Sequence, residues 1–188
     1  MSRFSRQRVA AAVAFAVLLA GGSGAAWWQA TRLPKRFAPV VEGRLYRSGE
    51  ASPAQLARLH RDYGIRRVIC LLNPDAPVTQ AERDAARQLG LEWHNVPLPG
   101  NGASTPADRE RLLALLTEPN APPTLVHCAA GVNRTGLAVG LYRLRVQGWP
   151  LTDVMKELHA FGFEDEPQQE NLRQALAEAA QAPSSGGR

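Results

Sequence analysis

The sequence predicts an α/β fold, with a mainly parallel central sheet flanked by helices on both faces and an N-terminal hydrophobic helix before it. Apolar runs with β-branched residues alternate with segments that begin with helix-capping signals. A stretch of 23 residues without a charged side chain precedes them, at residues 9–31. We therefore divide the 188 residues into an N-terminal segment at 1–36, a folded domain at 37–182 and a flexible tail at 183–188.

Three helices are expected to begin in the same way, with Ser or Thr at the N-cap and Gln, Glu or Asp three residues later. The pairs are Ser52 with Gln55, Thr79 with Glu82, and Thr105 with Asp108. Gly64 and Gly90 are placed to end the first two of these helices. After a break at residues 148–150, Thr152 is expected to cap a further helix, and residues 168–181 form the last one.

The predicted strands lie between these helices, at residues 68–72, 92–98 and 124–128. Residues 35–40 are expected to form only a linker into the domain. Helices that connect successive strands favour parallel pairing, and ligands of such sheets bind at the carboxyl ends of the strands. Cys128 ends the third predicted strand, so we expect it at that edge.

The net charge of +5 is concentrated at the N-terminus. Six of the 22 basic residues stand in residues 1–36, which hold no acidic residue. Residues 37–188 therefore carry 16 basic residues against 17 acidic ones. A domain with this balance is not expected to bind nucleic acid, whereas a basic N-terminus suits an anionic membrane surface.

Residues 9–31 are long enough to cross a bilayer, since 23 helical residues span about 35 Å. One interpretation is an uncleaved single-pass anchor in the cell membrane, with the Trp pair at 27–28 in the interface. The other is a signal peptide cleaved near residues 24–26, which leaves a secreted or periplasmic protein. Three arginines precede the stretch, so both interpretations place the domain outside the cytoplasm.

The most informative pattern is HCAAGVNRTG at residues 127–136. A predicted strand precedes it and a predicted helix follows, so the loop amides and the helix N-terminus form an anion-binding cradle. Such a cradle lowers the pKa of a cysteine at its mouth, because it stabilises the thiolate. Arg134 can place two N–H groups on the same anion. The pattern therefore predicts attack of the Cys128 thiolate on a phosphate ester and later hydrolysis of a phosphocysteine.

This pattern resembles the His-Cys-x5-Arg-Ser/Thr signature of the cysteine-dependent protein tyrosine phosphatase superfamily, and residues 40–175 resemble its small bacterial dual-specificity branch. The resemblance implies that Cys128 is the nucleophile, that Arg134 binds the phosphoryl group and that His127 orients the loop. Thr135 is predicted to hydrogen-bond the cysteine sulfur and ease its departure. The residues expected to bind substrate are Ala129, Ala130, Gly131, Val132, Asn133 and Arg134.

Asp108 is the main candidate for the general acid, with helix capping as its alternative role. In many relatives an Asp directly follows the strand, but residues 97–102 carry no carboxylate here. Asp75 is the second candidate, because it follows the strand at 68–72. Arg47 is interpreted as a brace of the catalytic loop rather than a substrate ligand.

The remaining reactive side chains predict no metal site and no cofactor, since His60, His94 and His159 lack a metal-binding spacing. Cys70 is interpreted mainly as a buried core residue. Its alternative role is a resolving cysteine that protects Cys128 as a disulfide.

These observations predict a metal-independent phosphatase that acts on a phosphorylated protein or a small phosphoester. The loop side chains between Cys128 and Arg134 include no basic residue. Their composition favours a singly phosphorylated group such as phosphotyrosine. The alternatives are a pseudophosphatase that binds phosphorylated ligands, a phosphoinositide phosphatase at the membrane, and a rhodanese-type sulfur transferase.

Overall fold

The computed structural model describes residues 32–182, and a compact unit begins at Pro34. The strands of this unit form one five-stranded sheet. They are β1 (Ala38–Val41), β2 (Leu45–Ser48), β3 (Arg67–Cys70), β4 (Glu92–Asn95) and β5 (Thr124–His127). Their order across the sheet is β1-β2-β5-β3-β4. All neighbours pair in parallel except β1 and β2, which confirms the predicted mainly parallel sheet.

Six α-helices connect and cover the strands within the described residues. They are α1 (Pro53–Asp62), α2 (Pro77–Gln88), α3 (Pro106–Thr117), α4 (Asn133–Arg145), α5 (Leu151–Ala160) and α6 (Glu170–Gln181). A 3₁₀ turn at Pro167–Gln169 leads into α6. Gly64 and Gly90 follow α1 and α2 with positive φ, as their C-terminal capping role requires.

The helices cover both faces of the sheet. Helices α1 and α2 pack on one face, where Leu56 and Ala86 meet Val68 of β3. Helices α3 to α6 pack on the other face and build the larger core, which includes Leu112, Leu137, Leu158 and Leu172. Helix α4 is buried along most of its length, so the helix that follows the catalytic loop is fixed within this core.

Three local predictions were wrong. Residues 35–40 are more than a linker, since Ala38–Val41 pairs with β2 as an antiparallel edge strand. Helix α2 begins at Pro77, ahead of Thr79, because proline fixes the backbone angle that the first helical position needs. Helix α5 likewise begins directly after Pro150, with no side-chain cap from Thr152.

The predicted membrane segment at residues 9–31 lies outside the described residues, as does the tail at 183–188. Within residues 32–182, no helix combines the length and apolar character that crossing a bilayer requires.

Candidate active site

The predicted catalytic loop joins the central strand β5 to the buried helix α4. His127 is the last residue of β5 and Asn133 is the first of α4, so Cys128 to Val132 form the connecting loop. In the sheet register, His127 lies opposite Ser48 of β2 and Cys70 of β3. The loop therefore stands at the carboxyl edge of the three central strands, as the sequence predicted.

The carbonyl groups of this loop are held from outside by four donors. Glu50 N–H donates to the Ala129 oxygen at 3.1 Å. The other donors are cationic or ionisable side chains. Arg36 Nη1 lies 2.9 Å from the Ala130 oxygen, Arg47 Nη2 lies 3.0 Å from the Gly131 oxygen, and His127 Nδ1 lies 3.4 Å from the Cys128 oxygen.

This arrangement fixes the direction of the loop amides. In a trans peptide the C=O and the following N–H point to opposite sides. Four outward carbonyl groups therefore direct the N–H groups of residues 129–132 toward the interior of the loop. Gly131 N–H donates to the Cys128 sulfur at 3.3 Å, as expected for this orientation. The amides form a concave set of donors around the sulfur, which is the geometry that an oxyanion needs.

Gly131 is required by a close approach of two backbone segments. Its φ is +75°, and a Cβ added there would lie 2.6 Å from the amide nitrogen of Gly49. A Cβ at Gly49 would in turn lie 2.9 Å from the Ala129 oxygen. The turn after β2 therefore supports the catalytic loop by direct backbone contact, which a side chain at either glycine would disrupt.

Cys128 is buried and its thiol pKa is lowered. Burial alone would raise this pKa, but the Thr135 hydroxyl, the N–H groups of Thr135 and Gly131 and the charge of Arg134 outweigh it. The thiolate is therefore favoured relative to an ordinary cysteine, which is the state that nucleophilic attack needs. Thr135 Oγ1 also lies 3.4 Å from the Ser48 oxygen, so its hydroxyl sits between the sulfur and the end of β2.

Arg134 lies on the first turn of α4, directly after the loop. Its Nη1 donates weakly to two carbonyl groups beyond the strand ends, Leu71 at 3.4 Å and Leu98 at 3.5 Å. Asn133 Nδ2 donates to the Gly100 oxygen at 3.3 Å. These contacts join the catalytic loop to the segments after β3 and β4, and they orient Arg134 while leaving it capable of stronger bonds to an oxyanion.

Arg47 has the bracing role that the sequence favoured. It is 1% exposed, and its guanidinium carbon lies 3.6 Å from the centre of the Phe161 ring. Burial lowers its pKa to about 10, although Glu157 and Cys128 partly offset this effect. Arg47 therefore remains cationic at neutral pH and contributes positive charge beneath the loop.

Sequence reasoning missed the contribution of Arg36. Its Nε donates to the Phe161 oxygen at 2.7 Å while Nη1 reaches Ala130. The segment around it also contacts the turn after β2, where Gly49 N–H donates to the Lys35 oxygen at 2.6 Å. No motif marks Arg36, because its partners are carbonyl groups far away in the chain.

Glu82 was misread as a helix-capping residue and is instead buried beside the catalytic strand. Its Oε2 lies 2.8 Å from His127 Nε2, and Trp93 Nε1 donates to Oε1 at 2.8 Å. Ala85 and Ala86 share its buried helix face, and this shared face is the sequence signal that could have revealed it. Cys70 completes the cluster, since its sulfur, a Glu82 carboxylate oxygen and a His127 ring nitrogen lie within 4.8 Å of one another.

Cys70 and Cys128 are both free thiols. Cys70 shares the α2 face of the sheet with His127 and Glu82, whereas Cys128 meets Thr135 of α4 on the opposite side. Cys70 pairs with His127, and successive residues of an extended chain face opposite sides, so Cys128 is expected to point away from Cys70. This divergence favours the core interpretation of Cys70 over the resolving one.

Asp108 forms the capping box that its position allows. Its carboxylate accepts hydrogen bonds from Thr105 N–H at 2.9 Å and from the Thr105 hydroxyl at 2.7 Å, and its own N–H donates back to that hydroxyl. The bonds from Thr105 lower the pKa of Asp108, so they favour the carboxylate over the proton-donating acid. Asp75 lies in the turn after β3, where its N–H donates to Asn73 Oδ1 at 3.0 Å.

Comparisons with known proteins agree on one family for this chain. A profile of the tyrosine phosphatase family matches residues 33–181. The dual specificity protein phosphatase TpbA of Pseudomonas aeruginosa is 31% identical over 179 residues, which cover 89% of this chain and 76% of that protein. The inositol diphosphatase SIW14 of Saccharomyces cerevisiae is 28% identical over 134 residues. This match covers 69% of this chain but only 46% of the yeast protein.

Solved structures share the fold. The core catalytic domain of the PP-IP phosphatase SIW14 from S. cerevisiae, crystallised with citrate, aligns with a TM-score of 0.68 at 25% identity. This alignment covers 78% of this chain and 86% of the solved one. TpbA from P. aeruginosa aligns with a TM-score of 0.59 at 27% identity, over 72% and 80% of the two chains. The chain therefore belongs to the tyrosine phosphatase family, within the superfamily of cysteine-based tyrosine and dual-specificity phosphatases.

Proposed function

We propose that this protein hydrolyses phosphate monoesters through a phosphocysteine intermediate. The observation that carries the proposal is the loop geometry, in which outward carbonyl groups direct the amides of residues 129–132 toward the Cys128 sulfur. These amides and Arg134 provide donors for the equatorial oxygens of a phosphoryl group. The thiolate with its lowered pKa provides the nucleophile.

The reaction proceeds in two displacements. The Cys128 sulfur forms a bond to phosphorus while the bond to the leaving oxygen breaks, and that oxygen takes up a proton from a general acid or from solvent water. Water then attacks the phosphocysteine, which releases inorganic phosphate and restores the thiolate. The Thr135 hydroxyl can donate to the sulfur as negative charge returns to it, so it favours the second step.

The substrate that we favour is a singly phosphorylated group, with phosphotyrosine as its simplest form. The loop side chains from Ala129 to Asn133 are small or uncharged, so they add no cation for a second phosphate. TpbA, which resembles most of this chain, is a dual specificity protein phosphatase. Substrate recognition then depends on the amides and on Arg134, which contact one phosphoryl group only.

A second candidate substrate is an inositol pyrophosphate or phosphoinositide. Similarity to inositol diphosphatases of yeast and rice supports it, at 28% and 32% identity. A cluster of phosphates calls for several cationic side chains around the cradle. Arg36 and Arg47 are cationic neighbours of the loop, but their N–H groups are directed at its carbonyl groups.

One assay tests the activity and ranks the substrates. Phosphate release is measured from an aryl phosphate, a phosphotyrosine peptide, a phosphoserine peptide and a panel of inositol phosphates, with EDTA present throughout. We expect the tyrosine peptide to give the highest kcat/KM and Cys128→Ser to give no turnover. Preference for an inositol pyrophosphate would establish the second candidate, and turnover by Cys128→Ser would overturn the phosphocysteine mechanism.

We further propose that residues 9–31 anchor the protein in the cell membrane with the domain outside the cytoplasm. The support comes from the sequence, where an uncharged stretch follows three arginines. Removal of this segment as a signal peptide would leave the domain in the same compartment.

A further inference from the structure

Glu82 is a buried carboxylate that the reaction described above does not use. It is 1% exposed and lies within α2, past the first turn, where it has no part in capping the helix. A lone buried carboxylate is costly, so a charge in this place needs compensation by opposite charge and hydrogen bonds. Glu82 lies beside the strand that leads into the catalytic loop, and this position indicates what the compensating groups do there.

Both carboxylate oxygens of Glu82 have a partner atom at 2.8 Å. Trp93 Nε1 donates to Oε1. His127 Nε2 lies at ion-pair distance from Oε2, without the alignment of a hydrogen bond. His127 is 0% exposed, and its other ring nitrogen faces the Cys128 oxygen at 3.4 Å. Each ring nitrogen of His127 thus has an oxygen nearby, the Glu82 carboxylate on one side and the Cys128 carbonyl on the other. This arrangement suits the doubly protonated imidazolium, which carries a proton on both nitrogens.

The charge of Glu82 favours this imidazolium. Burial alone would lower the pKa of His127, but the charge of Glu82 and hydrogen bonds to Cys70 and Glu82 raise it well above the usual value. This direction of shift favours the protonated ring, and the second proton is lost only as the pH rises through the raised pKa. Removal of the Glu82 charge would remove the largest effect that opposes burial, so it would favour the neutral ring.

The link to catalysis is the peptide between Cys128 and Ala129. The Cys128 carbonyl group, held by His127, and the Ala129 N–H are opposite ends of this planar unit. A bond from His127 to the carbonyl oxygen, here 3.4 Å long, therefore aims the Ala129 N–H into the cradle, beside the sulfur.

We propose that Glu82 is a positioning residue for this reaction, which acts through His127 to aim the Ala129 amide at the phosphoryl group. The proposal rests on the proposed phosphatase activity. Glu82 itself does not touch the substrate. It stabilises the protonated state of His127, and His127 orients the first peptide of the loop.

The other groups around His127 are compatible with this role. Strand β3 contributes the Cys70 thiol, and β2 contributes Ser48 at the register position beside it. Strand β4 contributes the neutral indole of Trp93, with the Arg83 guanidinium 5.9 Å from its ring centre. The Glu82 to His127 separation of 2.8 Å is a hydrogen-bond distance, shorter than two ligand atoms on one zinc ion are expected to keep.

The first test compares Glu82→Gln with Asp84→Asn, which removes a carboxylate from the exposed side of the same helix. We expect Glu82→Gln to lower kcat at least ~10-fold, less than the ~100-fold cost of deleting a donor outright. Tungstate binding should weaken as well, while Asp84→Asn should match the wild type in both. Unchanged kcat and tungstate binding in a folded Glu82→Gln protein would overturn the proposal.

The second test needs no turnover and no Glu82 variant. In Cys128→Ser protein, which lacks the thiolate, NMR follows the His127 ring nitrogens and the Ala129 amide across a pH titration. We expect the His127 ring to be doubly protonated at pH 7. The chemical shift of the Ala129 amide should change with the same pH midpoint as the ring nitrogens. The proposal would be overturned if His127 is neutral at pH 7, or if the Ala129 amide signal does not follow the titration of the ring. Stoichiometric zinc in the purified protein would overturn it as well. These measurements do not depend on hydrolysis of a phosphate ester. Failure of the proposed phosphatase activity can therefore be distinguished from failure of the Glu82 proposal.

Discussion

The Arg36 guanidinium joins the Ala130 carbonyl oxygen, at 2.9 Å, to the Phe161 carbonyl oxygen, at 2.7 Å. One side chain from the entry of the domain thus connects the catalytic loop to the end of α5. Arg36 has φ of +55°, which non-glycine residues seldom adopt. In this backbone conformation the Arg36 side chain reaches the catalytic loop.

We expect Arg36→Ala to lower kcat/KM about 10-fold, because the Ala130 carbonyl group would lose its donor and the Gly131 amide its orientation. Arg36→Lys should recover part of the loss, since an ammonium group can reach one of the two oxygens. Steady-state kinetics with an aryl phosphate measures both. Arg87→Ala on the exposed part of α2 is the matched control, and equal activity of all three proteins would contradict a positioning role.

Arg134→Lys should reduce kcat by ~100-fold or more, the scale of a lost charge contact in the transition state. Lysine keeps the charge but cannot place two parallel N–H groups on one phosphoryl group. Single-turnover kinetics with an aryl phosphate measures formation of the phosphocysteine directly. A near-normal rate would mean that Arg134 does not contact the phosphoryl group.

Thr135→Val should raise the pKa of Cys128, because the variant removes a hydroxyl that stabilises the thiolate in a buried position. Alkylation by iodoacetamide follows the thiolate and increases as the pH rises through the thiol pKa. The alkylation profile of Thr135→Val should therefore shift to higher pH, whereas Thr135→Ser should retain the wild-type profile. Coincident profiles for Val and Ser would exclude a role for the hydroxyl.

Asp108 is expected to behave as a helix cap. Asp108→Ala should cost about 1 kcal/mol in the free energy of unfolding, measured with urea, since the capping box with Thr105 is lost. The dependence of kcat on the leaving group should stay as in the wild type. Slower hydrolysis confined to esters with poor leaving groups would instead identify Asp108 as the general acid, and the same series on Asp75→Asn tests the second candidate.

Export is tested with alkaline phosphatase fused after Arg188, which is active only outside the cytoplasm. We expect an active fusion and digestion of the domain by protease added to spheroplasts, because the arginines before residues 9–31 favour the cytoplasmic side. Replacement of those arginines by glutamate should reduce export. If the domain survives the protease while the membrane is intact, the domain lies in the cytoplasm.

The sequence predicted the features that local patterns encode. The alternation of strands and helices, the capping box at Ser52 and the edge position of Cys128 follow from neighbours in the chain. Glu82 and Arg36 could not be assigned in this way. Their partners His127 and Ala130 are brought close only by tertiary packing, and a carboxylate three residues after a Thr fits a capping box equally well.

The edge strand β1 escaped prediction for a related reason. Four residues with one proline carry little periodic signal, and pairing with β2 supplies their hydrogen bonds. Proline also explains the misplaced helix starts, because Pro77 and Pro150 act through backbone angles rather than a side-chain cap.

The divergence of Cys70 and Cys128 determines how the enzyme can recover from peroxide. Peroxide converts a reactive thiolate to a sulfenic acid, which a neighbouring thiol normally captures before further oxidation. Cys70 is the only other cysteine of the chain, and its sulfur lies in the cluster with His127 and Glu82. We therefore expect a small external thiol that enters the cradle to rescue oxidised Cys128. The redox state of the surroundings would then set the fraction of active enzyme.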